Sequence, residues 1–348
     1  MNYAHACFAA ILVAATSLSV AADSPAAMQS WNIGGTGGWD YLSVDATAHR
    51  LFVPRSDRVM IVDTHDGSVV GTVPGTEGVH GVAVDKKSGK GWTSNGRGNS
   101  VTRFDIASLA VEGTYAVSGQ GPDAIVFDES SNEIWTFNGR SQDATVLATD
   151  GRVVATVPFA GKPEFAVSDG HGSLFVNDES HANLIAIDAA AHRVRATWKL
   201  DDCEEPSGLA FDAAHHRLFS VCQNGHMAIT DSQTGRHVAT VPIGRGPDGA
   251  AFDAGLGNVY SSNGTDGTLT VVHERDPDHF DVAATLETQK SARTLAVDPG
   301  DHRVFLAAAR FEASSTPPAP GHRPPMVPDS FVILAVTPPA APSGHTGR

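Results

Sequence analysis

"TVPIGRGPDGAAFD", Thr240–Asp253, is written three times in outline along this chain. "TVPGTEGVHGVAVD" at Thr72–Asp85 and "TVPFAGKPEFAVSD" at Thr156–Asp169 share its frame without a gap. The Asp that ends each phrase is a marker: Asp45, Asp85, Asp128, Asp169, Asp212, Asp253 and Asp298 follow one another at steps of 40 to 45 residues. Seven copies therefore fill most of the chain, and a period of this length is the mark of a repeat architecture.

Each copy holds four short β-type runs parted by turn residues. In the fifth they are "GLAFD", "RLFSVC", "HMAITDS" and "HVATVPI", separated by "AAHH", "QNG" and "QTG". No window carries the sustained 3.6-residue apolar period of a helix, which excludes an α/β reading. The expected fold is all-β: a seven-bladed β-propeller of four-stranded antiparallel blades spanning residues 23–338. The seventh copy ends at "FVILAV" without a fourth run, while "SWNIG" near the N-terminus occupies the "TVPIG" position. The N-terminal strand is thus expected to complete the last blade and remove a hanging edge. The quoted phrase is then an outer strand, a crossing loop and the next inner strand.

The first 22 residues read as a cleaved secretory signal, with a short apolar core and small residues at Val20 and Ala22, although the start carries no Lys or Arg. The apolar run is too short to span a bilayer, and no second candidate follows. Residues 339–348 are expected as a disordered tail. Cys7 leaves with the signal, so Cys203 and Cys222 remain; on adjacent strands of an exported chain they are expected to form a disulfide. The formal net charge of −15 argues against nucleic acid and anionic lipid as partners.

"MIVDTHDGSVVGTVPGTEGVHGVAVD" and "VYSSNGTDGTLTVV" resemble the YVTN repeat of YncE-like seven-bladed propellers. The resemblance covers all seven copies, with an eroded core ("LFVP", "GWTSN", "IWTFN", "LFVND", "VYSSN"), and is specific for fold rather than function. It implies a periplasmic binding or scaffold protein.

Several motifs fall away. Gly244, Gly246 and Gly249 match G-x-G-x-x-G, but a strand follows where a dinucleotide site needs a helix. Serine-hydrolase, zincin, c-haem and P-loop patterns are absent from the sequence. His49, His216 and His302 precede Arg in the first hairpin of their copies, and His192 lies in another hairpin; these read as turn residues.

The position five before each marker Asp is more informative. It reads Asp40, His80, Asp123, Glu164, Ser207, Asp248 and Arg293, and should ring the channel mouth. Clustered carboxylates there would repel, raise one another's pKa or recruit a cation. Asp40, Asp123, Glu164 and Asp248 form a candidate oxygen site for Ca²⁺ or Mg²⁺; alternatively each carboxylate caps backbone amides of a neighbouring loop. The second-to-third strand loops bring Asn95, Arg97, Asn138, Arg140, Asn177, Glu179, Asn224, His226 and Asn263 to the same face, the Asn-Gly pairs being turn residues first. Trp39 and Tyr41 either wall the site or pack between blades. A Pro-rich insertion, Phe311–Ser330, is either a lid carrying His322 and Arg323 or a stiff excursion.

These readings lead to an exported, monomeric binding or scaffold protein whose mouth takes a small molecule or a protein partner. The alternative is a metal-assisted lactonase or hydrolase, with His80 or Glu164 as base toward a polarised water. A weaker third idea is a subunit of a periplasmic redox system.

Overall fold

The computed structural model describes residues 26–313 and 324–339. The signal segment, His322, Arg323 and nearly all of the C-terminal tail lie outside the described residues. Strand β1 (Ala27–Asn32) pairs antiparallel with the last strand, β26 (Val332–Thr337), which continues through β25 (Val304–Ala308) to β24 (Thr294–Val297). The next sheet holds β2 (Ser43–Asp45), β3 (Arg50–Asp63), β4 (Val69–Asp85), β5 (Lys90–Asn95), β6 (Ser100–Asp105) and β7 (Val111–Ala116). Four further sheets follow in chain order: β8 (Pro122–Asp128), β9 (Glu133–Asn138), β10 (Asp143–Ala148) and β11 (Val153–Pro158); then β12 (Pro163–Ser168), β13 (Ser173–Asp178), β14 (Asn183–Asp188) and β15 (Arg193–Lys199). The last two are β16 (Pro206–Asp212), β17 (Arg217–Cys222), β18 (His226–Asp231) and β19 (His237–Pro242); and β20 (Pro247–Asp253), β21 (Asn258–Asn263), β22 (Thr268–Asp276) and β23 (His279–Glu287).

This corrects the expected count. Among the described residues there are six sheets, five of four strands and one of six, rather than seven separate blades. The copies marked by Asp45 and Asp85 share a sheet because β3 and β4 run unbroken through the crossing segment, with Ser56 opposite Val79. The physical reason lies in one residue per copy. Strands β8, β12, β16 and β20 open with Pro122, Pro163, Pro206 and Pro247; a proline has no N–H for a second ladder and ends pairing there. In the second copy that place is Val79, which pairs with Ser56 on one side and Asn95 on the other.

The marker Asp is a turn cap. Asp253 Oδ1 accepts from the Gly255 amide at 2.9 Å, Asp212 from Ala214 at 2.9 Å and Asp298 from Gly300 at 2.8 Å. A buried carboxylate satisfying hairpin amides explains why each copy spells an Asp there. A second device staples strands two and three: Asn95 Nδ2 donates to Ser100 and Thr102 hydroxyls at 3.1 and 2.9 Å, and its Oδ1 accepts from Thr93. Asn263 repeats the arrangement with Thr268, Thr270 and Ser261.

The core lies between sheets. Trp135, Phe137 and Val146 interleave with Leu174, Val176 and Ile185 of the next sheet, each worth ~1.5–3 kcal/mol on burial. Toward the middle, side chains shrink. A Cβ on Gly208 would stand 2.6 Å from the Ala250 amide nitrogen, so β16 and β20 touch backbone to backbone. The innermost strands neighbour one another in chain order, β4 beside β8, then β12, β16, β20 and β24, with β24 beside β2. Buried Arg55 donates to the carbonyls of Gly34, Thr36 and Gly37 and stacks on Phe331 at 3.7 Å, anchoring the segment before β2. No helix of the described residues is long and apolar enough to cross a membrane.

Candidate functional site

Each column residue sits where a crossing loop hands over to an inner strand, which is why one sequence offset places them together. Five of the seven form one continuous chain of contacts. Arg293 pairs with Asp248 and lies 3.6 Å from Asp40 Oδ1. His80 Nδ1 is 2.6 Å from Asp40 Oδ2 and 3.4 Å from Asp123 Oδ1. Side chains from chain positions 40 to 293 thus meet in the order Asp248, Arg293, Asp40, His80, Asp123.

Glu164 stands beside this chain in a second cluster. Its Oε1 accepts a 2.9 Å hydrogen bond from the Tyr41 hydroxyl, and its Oε2 lies 2.9 Å from Lys162 Nζ, which also pairs with Glu179. Tyr41 precedes β2 and reaches Glu164 on β12, two inner strands that are not paired neighbours. Its ring meets Phe165 edge-on at 4.8 Å. Trp39 is buried against Phe331 and Phe311 and serves packing.

Each carboxylate of the column is met by a cationic or titratable partner. Asp40 and Asp123 face His80, Asp248 faces Arg293, and Glu164 faces Lys162. Lys162 escaped the sequence reading, although "KPE" places it two residues before Glu164. Burial pushes the Asp123 carboxyl up to about 7; the His80 charge opposes this, while Glu164 and Asp40 add to it. For His80, burial acts downward, but the hydrogen bond to Asp40 and the Asp123 and Asp40 charges prevail and lift it to about 9. Glu164 is raised by burial against the pull of Lys162, and the Tyr41 hydroxyl is raised well above its usual value by burial and Glu164. At neutral pH an imidazolium therefore sits between Asp40 and an Asp123 close to its midpoint.

The expected four-carboxylate metal set is not assembled: Glu164 and Asp248 belong to separate ion pairs. Asp40, His80 and Asp123 do offer ligand atoms all within 4.8 Å of one another. One imidazole nitrogen and two carboxylates suit a first-row divalent ion such as Zn²⁺ or Mn²⁺ better than Ca²⁺ or Mg²⁺. A second such group, Asp212, His215 and Glu274, lies at the marker-Asp end, with burial and the Asp212 charge pushing Glu274 up to about 7.

Several other expectations move elsewhere. Asn95, Asn138, Asn177 and Asn263 are wholly buried. The first two and Asn263 staple their own sheets, and Asn177 donates to the Ser207 and Gly208 carbonyls. Their amides are therefore framework, closed to a ligand at the mouth. Ser207 turns inward to the Pro247 carbonyl at 2.9 Å. Cys203 and Cys222 are joined in a disulfide with Cα atoms 5.3 Å apart. Arg97 lines a recess of about 300 Å³ with Trp39, Asp40 and His80. A larger cavity of about 730 Å³ opens on the other side of the chain of contacts, reaching Asp248 and Arg293.

No family model matches the chain, and no curated protein matches it in sequence. Among solved structures, a chain of Kuenenia stuttgartiensis hydrazine synthase superposes with a TM-score of 0.68 at 15% identity, over 78% of this chain and 92% of that one. At that identity the likeness speaks for architecture alone. With its antiparallel sheets packed side by side through their own inner strands, the chain is an all-β protein with the β-propeller fold.

Proposed function

We propose that this chain is an exported, YncE-like binding propeller of seven structural repeats in a closed ring, whose ligand or partner docks on the mouth face. The ring is supported by the neighbouring order of the inner strands and by the β1–β26 pairing. Export is supported by the N-terminal sequence and by the Cys203–Cys222 bridge. The observation that carries the functional reading is the chain of contacts Asp248–Arg293–Asp40–His80–Asp123. Ionisable groups from opposite ends of the sequence converge, two have strongly displaced pKa values, and cavities flank them. Such convergence is costly to build and is what binding sites require.

The test is equilibrium dialysis of the purified protein against a small-molecule extract, read by mass spectrometry. A compound enriched by wild type and lost with the His80→Gln/Arg293→Ala double variant supports the reading. Equal retention by both proteins rejects it.

A second reading is favoured by the spacing of Asp40, His80 and Asp123: a divalent ion held there would polarise water or a carbonyl for ester or lactone hydrolysis. It requires neutral His80, since an imidazolium cannot ligate. Turnover of a simple lactone that is abolished by EDTA and restored by Zn²⁺ or Mn²⁺ would support it. A purified protein without stoichiometric metal and without turnover would remove it.

A further inference from the structure

The cavity of about 730 Å³ beside Arg293 has a wall unlike the rest of the molecule. The whole chain carries a net charge of −15, yet this wall holds Lys290, Arg293 and Arg310 against one carboxylate, Asp248. Arg293 already neutralises Asp248, so Lys290 and Arg310 leave the cavity electropositive. Fields of this kind are focused inside a concave, low-dielectric wall.

Two donors there lack acceptors. Gln289 Nε2 and Arg293 Nε are buried and find no hydrogen-bond partner in the protein. A buried amide or guanidinium N–H left unpaired costs ~1–3 kcal/mol, which a ligand oxygen would recover. Around them lie further polar groups, Gln223 and Thr265, while Phe311 provides an aromatic surface. The volume falls within the usual range of small-molecule sites, roughly 300–1,000 Å³.

We infer that this cavity binds a small organic oxyanion, a carboxylate or phosphate carried on an apolar or aromatic body. The anionic oxygens meet the Arg293 and Gln289 side chains that line the cavity, Lys290 and Arg310 supply long-range attraction, and the body rests against Phe311. This deepens the proposed binding function and rests on the mouth face being the binding face. The ring of charge around Asp40 and His80 then serves as the fixed partner that holds Arg293 in position.

The experiment uses four probes that share a benzene ring: phenylacetate, phenyl phosphate, benzyl alcohol and phenethylamine, each titrated calorimetrically into the full mature chain. Inorganic phosphate is a fifth arm. The expected result is binding of one or both aromatic anions, with no heat from the alcohol or the amine. Phenylacetate and phenyl phosphate distinguish a carboxylate from a phosphate ligand, and inorganic phosphate shows whether the body is needed. Lys290 and Arg310 are exposed, so Lys290→Ala and Arg310→Ala should fold as wild type and each weaken binding about tenfold, or ~1.4 kcal/mol. Lys290→Glu should abolish it. If neither aromatic anion binds, the inference is overturned. If the alcohol or amine binds instead, and Phe311→Ala removes that binding, the face binds ligands but the oxyanion class is wrong. Anion binding that survives Lys290→Glu would place the site elsewhere and overturn the inference too.

Discussion

Carboxylates at the two ends of the inner strands have opposite fates. Asp128, at the marker end, is wholly buried, yet its pKa is lowered. Burial pushes it up, but hydroxyls of Ser130, Ser168 and Ser131, with the Ser131 amide, more than offset that. Asp123, five residues earlier on the same strand, has its Oδ1 buried without a hydrogen bond and is raised to about 7. One strand thus carries an Asp stabilised as an anion by donors and another held under electrostatic tension. Fully satisfied hydrogen bonding is what a structural cap needs; incomplete satisfaction is what a binding or catalytic group retains.

The sharpest way to break this contrast is to remove each Asp in turn. Asp128→Ala leaves Ser130 Oγ and Ser168 Oγ, each 2.6 Å from the lost carboxylate, without their acceptor. It should cost ~3–5 kcal/mol in urea denaturation. Asp123→Asn should change stability by less than ~1 kcal/mol at pH 8 and alter ligand retention instead. Equal losses for both would erase the distinction. Opening the Cys203–Cys222 bridge by double Ser substitution, with a sequence separation of 19, should cost ~3 kcal/mol, seen as a lower Tm. That effect belongs to the framework and should leave the mouth pKa values in place.

The smallest effects are those of pH. Asp123 has a folded pKa raised from 3.8 to about 7, so the stability it contributes is complete below pH 3.8 and is lost as pH rises through about 7. His80 is raised from 6.5 to about 9; its contribution is complete below pH 6.5 and disappears as pH rises through about 9. Wild-type Tm should therefore fall between pH 6.5 and 9. His80→Gln should flatten that slope by on the order of 1 kcal/mol, after allowance for solvent screening of a partly exposed ring. An unchanged slope would mean that His80 is not the imidazolium at the centre of the mouth.

Much of the architecture was legible because each hairpin writes its own cap. The Asp–turn–strand phrase is a local necessity repeated at fixed spacing, so it survives in sequence where side-chain packing does not. That Asp40, His80, Asp123, Asp248 and Arg293 meet was legible for the same reason, since a constant offset from the cap selects one place in each copy. The merged sheet was harder, because it turns on Val79 standing where four other copies have proline. Pairings were harder still. That Arg293 answers Asp248 and that Tyr41 reaches Glu164 depend on distances between copies, which no periodicity encodes; Lys162 answers Glu164 within one copy, but no other copy repeats that lysine. The Asn-Gly pairs were legible as turn phrases, but not the inward bonds that the amides of Asn95, Asn138 and Asn263 make to Ser and Thr hydroxyls.

Tyr41 carries a consequence for traffic. Its phenol ties the segment before β2 to Glu164 on β12, and it is itself nearly sealed from solvent. Any solvent path that runs between these two segments would first have to part that hydrogen bond and expose the phenol. Tyr41→Phe would remove that latch while keeping the ring packed on Phe165.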